Sequence, residues 1–267
     1  MDRKSRILQH LNQRGRGLEI GPSHAPIAPK SKGYNVKILD HLPAAQLREK
    51  YAPLVADVSA IEEVDYVWSG EPFAELVGPK TRFDWVIASH VVEHSTCLIS
   101  FLNDCTSVLK DDGVLVLAVP DKRYCFDHFR EKTGLGKVID VFRQRPSRHS
   151  AGTAAESFLN ISKMNGADGW HPLAKGQMSL SENILAARRA IHDIEENNAF
   201  VDLHNWVFTP TSFRLMIEDL YLLGYTTLRE FSFTPTIGSE FLLWLSRQGK
   251  GHELGRLLML EVNLRET

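Results

Sequence analysis

Two nearly continuous apolar runs, Phe83–Ser89 and Gly113–Pro120, constrain the fold of this chain more than any other feature of its sequence. Runs of this length without polar alternation are typical of parallel strands that are buried on both faces. Between them, apolar residues recur at helical spacing from Leu98 to Leu109, and Asp111-Asp112-Gly113 predicts a stop and a turn. A strand, a helix and a strand in this order predict a parallel sheet covered by helices.

The same alternation extends over residues 1–141. Shorter β-rich runs lie at Leu18–Gly21, Asn35–Asp40 and Leu54–Ala56, and we predict them as the first three strands. The predicted fold class is therefore α/β, with a doubly wound, mostly parallel, Rossmann-like sheet. The 267 residues, of which 43% are hydrophobic and 24% charged, suffice for one such domain with an insertion.

The predicted insertion covers residues 122–205, where turn residues are scattered among helical pieces. Since this stretch is too long for a loop, we predict a mostly helical substrate-recognition insertion. Ser179 and Glu182 predict the capping box of one of its helices. The predicted apolar face of that helix consists of Ile184, Ala187, Ile191 and Ile194.

The α/β pattern resumes after the insertion. Thr209 followed by Pro210 predicts a helix start, and Gly224 predicts its end. Two β-rich runs then follow, Thr226–Thr234 and Ser239–Arg247. Because only four residues separate them, we predict an antiparallel hairpin. The buried face of the preceding helix is predicted from Phe213, Met216, Ile217 and Leu220.

Charge and composition exclude several classes of protein. The net charge of −2 gives no general attraction to nucleic acid or anionic membranes. We find no apolar run of the roughly 18 residues that a membrane span needs, and the basic N-terminus lacks the apolar core of a secretory signal. Three cysteines without a CxxC motif, Cys97, Cys105 and Cys125, are typical of reduced, buried thiols. We expect a cytoplasmic protein; its oligomeric state is left open.

The ends of the predicted strands carry residues that suggest a ligand site. Gly21 ends the first strand, and with Pro22 and Ser23 it would form a turn with free N–H groups for a carboxylate. Asp40, at the end of the second strand, is placed to accept hydrogen bonds from ribose hydroxyls. Asp57, after the third, could accept one from an exocyclic amine.

Three more residues complete this predicted site: Glu19 on the first strand, His41 after the second and Ser89 at the end of the fourth. The carboxyl ends of parallel strands meet at one edge of a sheet. We therefore expect Glu19, Gly21 and Asp40 to line one crevice.

These residues resemble the core of the class I S-adenosylmethionine-dependent methyltransferases, type 11 branch. The segments that carry the resemblance are Glu19-Ile20-Gly21, Asp40, Ala88–His94 and Leu109–Leu115. Val119–Asp127 and His204–Pro210 resemble a narrower group that is associated with surface-polysaccharide and glycan biosynthesis. The resemblance implies S-adenosylmethionine as cofactor. It also implies methyl transfer to a hydroxyl or amine of a carbohydrate, glycan intermediate or related small molecule.

The chain departs from the family pattern in its first loop, where Gly-x-Gly-x-Gly is replaced by Gly21-Pro22-Ser23. The departure argues against a nicotinamide enzyme, whose pyrophosphate needs the later glycines. S-adenosylmethionine has no pyrophosphate, so a looser loop can serve. The same departure leaves open a non-catalytic member of the fold that acts as a binding or assembly module.

Methyl transfer also requires a group that removes a proton from the acceptor. His90 is the first choice, because a neutral imidazole can accept a proton near pH 7. His94, Asp121 and His204 are the alternatives. A methyltransferase subgroup with Glu-x-x-Glu-His at this point binds a divalent metal, and this chain has His90, Glu93 and His94 there as possible ligands.

The same His-x-x-Glu-His run matches an inverted zincin signature, which leaves a metal-dependent hydrolase as a further alternative. A zincin needs this run inside a long helix, whereas here it follows a predicted strand.

The insertion suggests the nature of the acceptor. Residues 122–149 contain eight basic and three acidic residues. Such a surface could attract an acidic acceptor, for example a phosphorylated or nucleotide-linked sugar. Four aromatic residues could stack on a sugar ring: Tyr124, Phe126, Trp170 and Trp206.

Overall fold

The computed structural model describes residues 1–181 and 183–266. Its strands, numbered along the chain, are β1 Gly17–Ile20, β2 Val36–Asp40, β3 Tyr66–Val67, β4 Phe83–Ser89, β5 Leu109–Pro120, β6 Ser162–Met164, β7 Met178–Leu180, β8 Arg229–Ile237 and β9 Glu240–Ser246. Strands β6 and β7 form a separate antiparallel pair, and the other seven form one sheet.

The order of strands in the central sheet is β3-β2-β1-β4-β5-β9-β8. The first five are mutually parallel, and β9 is antiparallel to both β5 and β8. The strand order reverses between β1 and β4, which makes their carboxyl ends the switch point of the sheet. The α/β class, the mostly parallel sheet and the C-terminal hairpin are confirmed.

The helices lie on both faces of the sheet and in the insertion. They are α1 Arg3–Ile7, α2 Ala44–Tyr51, α3 Phe73–Val77, α4 Leu98–Val108, α5 Leu135–Gln144, α6 Ala151–Leu159, α7 Ile184–Glu195, α8 Pro210–Leu222 and α9 Arg256–Arg265. Three short 3₁₀ turns occur at Lys30–Lys32, Val92–His94 and Lys122–Tyr124. Helix α4 is confirmed, but Asp111–Gly113 lies within β5, next to an irregularity in its pairing with β4.

Strands β4 and β5 are buried on both faces, as their apolar runs predict. Val86 and Leu117 pack into the layer that contains α4 and α8. Ile87 and Val116 pack into the opposite layer, with Trp244 and residues of the N-terminal segment. Burial of each such side chain contributes roughly 1.5–3 kcal/mol, so these two strands anchor the sheet.

The predicted third strand, Leu54–Ala56, is wrong. That segment forms turns after α2, and Leu54 is 72% exposed. The third strand is Tyr66–Val67, which pairs in parallel with the end of β2. The run Leu54–Ala56 is too short to show the periodicity that distinguishes a strand from a turn. The two residues of β3 are also too few to show a strand periodicity.

Residues 122–205 contain three helices and the β6–β7 pair. Helices α6 and α7 pack against each other through Ala154, Ala190 and Ile194. Helix α5 places Val138 in the main core, which ties this segment to the sheet.

The predicted start of α7 is wrong in part. Ser179 pairs with Lys163 as a residue of β7, so its backbone belongs to a strand and it does not cap the helix. Glu182 lies outside the described residues. The helix begins after Asn183, and its Ile184 is 56% exposed, whereas Ala187 and Ile194 are buried.

The start of α8 is confirmed in detail. The Thr209 side chain accepts from the Ser212 N–H, and the Ser212 hydroxyl accepts from the Thr209 N–H. Pro210 occupies the first helical position, and Gly224 follows the helix at φ +75°. The predicted buried face is also confirmed: Phe213, Met216, Ile217 and Leu220.

The three cysteines are free and buried, as predicted. Among the helices of the described residues, none is both long and apolar enough to cross a membrane.

Candidate active site

The carboxyl ends of β1, β2 and β4 meet at the switch point. Ile20 of β1 lies opposite Leu39 of β2 and Ala88 of β4. The next residues are therefore level with one another, namely Gly21, Asp40 and Ser89. The structure thus brings these three predicted residues to one edge of the sheet, where ligands of doubly wound folds bind.

The turn after β1 begins with Gly21. Its φ is +60°, and a Cβ at this position would lie 3.0 Å from a methyl group of Val91. The N–H of Gly21 donates to the Leu39 carbonyl at 2.8 Å, which fixes the start of the turn. Ser23 also has a left-handed backbone, with φ +46°. This conformation is costly for a residue with a side chain and persists only where the surroundings impose it.

Asp40 offers one carboxylate oxygen to a ligand. The residue is 4% exposed. Its Oδ1 accepts from the His41 N–H at 2.8 Å and lies 2.7 Å from His41 Nδ1. Its Oδ2 is buried and has no hydrogen-bond partner among the described residues. A buried acceptor without a hydrogen bond destabilises the protein by about 1–3 kcal/mol. A ligand hydroxyl that donates to this oxygen would therefore be bound favourably.

Glu19 holds the loop that follows the glycine turn. It is 2% exposed, and its two oxygens accept from the N–H groups of Ile27 at 2.6 Å and Ala28 at 3.1 Å. Burial raises the pKa of Glu19 to about 7, even though these two hydrogen bonds lower it. Both oxygens are engaged by the main chain, so Glu19 fixes the position of the loop that carries Ile27 and Ala28.

Asp57 does not end a strand and lies in an exposed turn. It is exposed, and its oxygens accept from the N–H of Ser59 at 2.7 Å and the hydroxyl of Ser59 at 2.9 Å. These hydrogen bonds lower the pKa of Asp57. They also stabilise a local turn that begins at this residue. The prediction that it ends a strand fails with the predicted third strand.

The residue that does follow the third strand is Trp68. It is 37% exposed, and its indole N–H donates to the Glu71 carbonyl at 2.7 Å. The sequence carried a sign of this strand, because Tyr66-Val67-Trp68 combines aromatic and β-branched residues.

A network of charged groups surrounds His90 after β4. His90 Nε2 lies 2.8 Å from the carboxylate of Glu240, the first residue of β9. Arg3 of α1 binds the same carboxylate through two bonds of 2.7 Å and donates to the Ser89 hydroxyl. The sequence analysis missed Arg3 and Glu240, since they lie far from His90 in the chain.

The charges in this network shift two pKa values. Burial lowers the pKa of His90, but its hydrogen bond with Glu240 and the charge of Glu93 outweigh burial and raise it. Burial raises the pKa of Glu240, but the hydrogen bonds from His90 and Arg3 prevail and lower it to about 2. The His90–Glu240 pair is therefore stabilised in its ionised form.

Glu93, His94 and His204 form a second cluster beside the crevice. Each offers one possible ligand atom, and these atoms lie within 4.8 Å of one another. His90 is not part of this cluster; its Nε2 contacts Glu240, and its Nδ1 lies 3.6 Å from Glu93. Of the three predicted metal ligands, the structure therefore brings together Glu93 and His94, and His204 stands where His90 was expected.

Asp121 is buried, and its neighbours in the chain and the sheet engage its carboxylate. Its oxygens accept from the Arg123 guanidinium at 2.6–3.2 Å and from the Thr236 hydroxyl at 2.5 Å. These bonds tie the end of β5 to the hairpin, so the geometry gives Asp121 a structural role.

Five of the eight basic side chains of residues 122–149 donate hydrogen bonds to other groups of the protein. Lys122 donates to the His128 carbonyl, and Arg123 pairs with Asp121. Further basic residues that donate to main-chain or side-chain oxygens are Arg130, Lys132 and Lys137. Of these five residues, only Arg123 and Arg130 pair with carboxylates, and the three lysines keep their positive charge.

The four aromatic residues divide into two groups. Trp170 and Trp206 are 8% and 1% exposed and belong to the interior. Tyr124 and Phe126 are only partly buried, so they remain candidates for stacking on a ring.

A family model matches most of the chain. Residues 1–219 match a family model described as a methyltransferase domain. Two curated relatives are both named ubiquinone biosynthesis O-methyltransferase. The protein of Rhodopseudomonas palustris strain TIE-1 is 34% identical over 73 residues, which are 27% of each chain. That of Bradyrhizobium sp. strain ORS 278 is 40% identical over 50 residues, 19% of this chain and 20% of the relative.

The chain thus matches about a quarter or less of the length of these curated relatives. Solved structures to which the chain is similar include the CcbJ methyltransferase from Streptomyces caelestis. It has 13% identity and a TM-score of 0.46, and the match covers 91% of this chain and 93% of that one. A SAM-dependent methyltransferase from Aquifex aeolicus has 12% identity, coverage of 91% and 88%, and a TM-score of 0.44.

Proposed function

The chain belongs to the methyltransferase-domain family, whose cofactor is S-adenosylmethionine, and we propose that it methylates a hydroxyl or amine of a carbohydrate, glycan intermediate or related small molecule. The observation that carries the cofactor site is the buried, unpartnered Oδ2 of Asp40, level with Gly21 at the switch point. A ribose hydroxyl is a donor of the kind that this oxygen lacks.

The residues around Asp40 fit the rest of the cofactor. The left-handed turn at Gly21 and Ser23 would offer main-chain N–H groups to the amino-acid carboxylate. Glu19 holds the following loop in place through Ile27 and Ala28. Trp68, after β3, is a candidate for contact with the adenine ring.

When bound, S-adenosylmethionine supplies a methyl carbon that its sulfonium already makes electrophilic. The protein must hold the acceptor in line with it, which is worth roughly 7–11 kcal/mol in favourable intramolecular reactions. We propose that His90, in its neutral form, is the proton acceptor, because it follows β4 at the switch point and Glu240 would stabilise the imidazolium that forms. Since its contacts raise the pKa of His90, this role requires a pH at which the imidazole has lost its proton.

Support for a carbohydrate acceptor comes from the likeness of Val119–Asp127 and His204–Pro210 to the glycan-biosynthesis group, and from the partly exposed Tyr124 and Phe126. Of the eight basic side chains of residues 122–149, Arg123 and Arg130 are neutralised by Asp121 and Asp127, so the test below includes neutral and acidic sugars. The free, buried thiols agree with a cytoplasmic location as part of this proposal.

The second candidate acceptor is a quinol of the ubiquinone type, because the curated relatives carry the name ubiquinone biosynthesis O-methyltransferase. A quinol methyltransferase would use the same proposed cofactor site and would differ only in its acceptor.

A panel of acceptors with methyl-labelled S-adenosylmethionine tests the proposal. The panel contains neutral glycosides, amino sugars, nucleotide-linked sugars and a soluble quinol of ubiquinone type, and mass spectrometry locates the added methyl group. We expect label on a sugar hydroxyl or amine. Label on the quinol alone would overturn the carbohydrate acceptor and leave the cofactor site intact. Binding of cofactor without label on any class would favour the non-catalytic alternative.

A further inference from the structure

The buried carboxylate of Glu93 accepts no hydrogen bond from the described part of the chain. The residue is 1% exposed, and neither of its oxygens has a hydrogen-bond donor among the described residues. Nδ1 of His90 and Nε2 of His204 lie 3.6 Å and 3.9 Å from it, beyond hydrogen-bond distance. The two imidazoles compensate the charge of this carboxylate only from beyond hydrogen-bond distance, so a cation bound directly to it would stabilise it.

The two histidines of the cluster are oriented by carboxylates. Nδ1 of His204 lies 2.5 Å from Asp127, and Nδ1 of His94 lies 2.8 Å from Asp202. Each carboxylate favours the tautomer with hydrogen on Nδ1, which leaves the lone pair on Nε2 for a ligand. Metal-binding histidines have this arrangement almost without exception. Asp127 is held in turn by a 2.7 Å ion pair with Arg130.

We propose that Glu93, His94 and His204 bind one divalent transition-metal ion, of which zinc and cobalt are the representatives to test. Two imidazole nitrogens and one carboxylate oxygen form a ligand set that suits such ions. It does not suit Mg²⁺ or Ca²⁺, which prefer oxygen ligands. Three protein ligands leave a coordination position for water or, if the proposed function holds, for an oxygen of the acceptor.

Metal titration of the full chain after removal of metal with a chelator tests this proposal directly. We expect one equivalent of Co²⁺ to bind and to produce a visible absorption spectrum, and Zn²⁺ to displace it. Mg²⁺ at the same concentration should not compete. Calorimetry gives the affinities, and binding of S-adenosylmethionine to the same samples reports on the cofactor site independently.

Four variants sharpen the test. E93Q and H204Q should each weaken Co²⁺ binding by at least about 10-fold, and D127N by about 10- to 100-fold through the lost orientation of His204. H192Q removes an exposed histidine of α7 and should leave binding unchanged. E93Q should also melt higher than the metal-free wild type, because it removes a buried charge, yet gain nothing from Zn²⁺.

Three results would overturn the proposal. The first is the absence of stoichiometric Co²⁺ and Zn²⁺ binding in a protein that binds S-adenosylmethionine. The second is binding that H204Q retains. The third is stronger binding of Mg²⁺ than of Co²⁺. If the cofactor fails to bind while Co²⁺ binds as expected, the proposed function fails and the metal site stands.

Discussion

Three buried carboxylates near the switch point differ in what surrounds them. Both oxygens of Glu19 accept hydrogen bonds from main-chain N–H groups. Among the described residues, one oxygen of Asp40 and both oxygens of Glu93 have no hydrogen-bond partner. The sequence could place Glu19 and Asp40 at the ends of adjacent strands. It could not reveal which oxygens stay unpaired, because their partners come from loops whose course no local pattern predicts.

The glycine at the start of the cofactor turn gives a prediction at the residue scale. Gly21→Ala should lower the free energy of unfolding by about 1–2 kcal/mol, because alanine is strained at positive φ and its Cβ would crowd Val91. Gly134→Ala is the matched control, since Gly134 has φ −86° and open space around its Cα. Urea unfolding of both variants measures the difference. Equal stability of the two would show that the turn does not require glycine.

At the scale of elements, long patterns were reliable and short ones were not. Strands β4 and β5 and helix α8 were predictable, because many buried residues and a complete capping box agree on each. Strand β3 was not, since two residues carry no period. Likewise, the partner of Glu93 and His94 was expected in His90, next to them in sequence. It is His204, which the fold brings from the C-terminal end of the insertion.

The loop held by Glu19 gives a prediction at this scale. The pKa of Glu19 is 4.5 as an ordinary carboxyl and about 7 in the folded protein. The folded state therefore binds more protons than the unfolded state between these values, and the contribution of Glu19 to stability falls as the pH rises through this window. The total change is roughly 3–4 kcal/mol.

Urea unfolding of the wild type and of Glu19→Gln, at a series of pH values from 4 to about 8, isolates this contribution. The wild type should lose stability relative to the variant as the pH rises, since glutamine does not titrate and other groups cancel in the difference. A difference that is independent of pH would contradict the role of burial at Glu19.

At the scale of the whole molecule, the sheet joins distant segments into one edge. The N-terminal helix supplies Arg3, strand β9 supplies Glu240, and both meet Ser89 and His90 at the end of β4. The sequence predicted the sheet and its switch point from the order of elements. It could not predict that a residue of the N-terminal helix reaches the site, because α1 is only five residues long and carries no motif.

The two aspartates predicted to contact the cofactor give the most direct test, because the structure gives them different surroundings. Calorimetric titration of S-adenosylmethionine into the wild type, Asp40→Asn and Asp57→Asn compares a buried oxygen without a partner with an exposed turn residue. We expect the wild type to bind, Asp40→Asn to bind at least about 10-fold more weakly, and Asp57→Asn to stay within about 2-fold of the wild type. Unchanged affinity in Asp40→Asn, or an equal loss in both variants, would contradict a cofactor site at the ends of these strands.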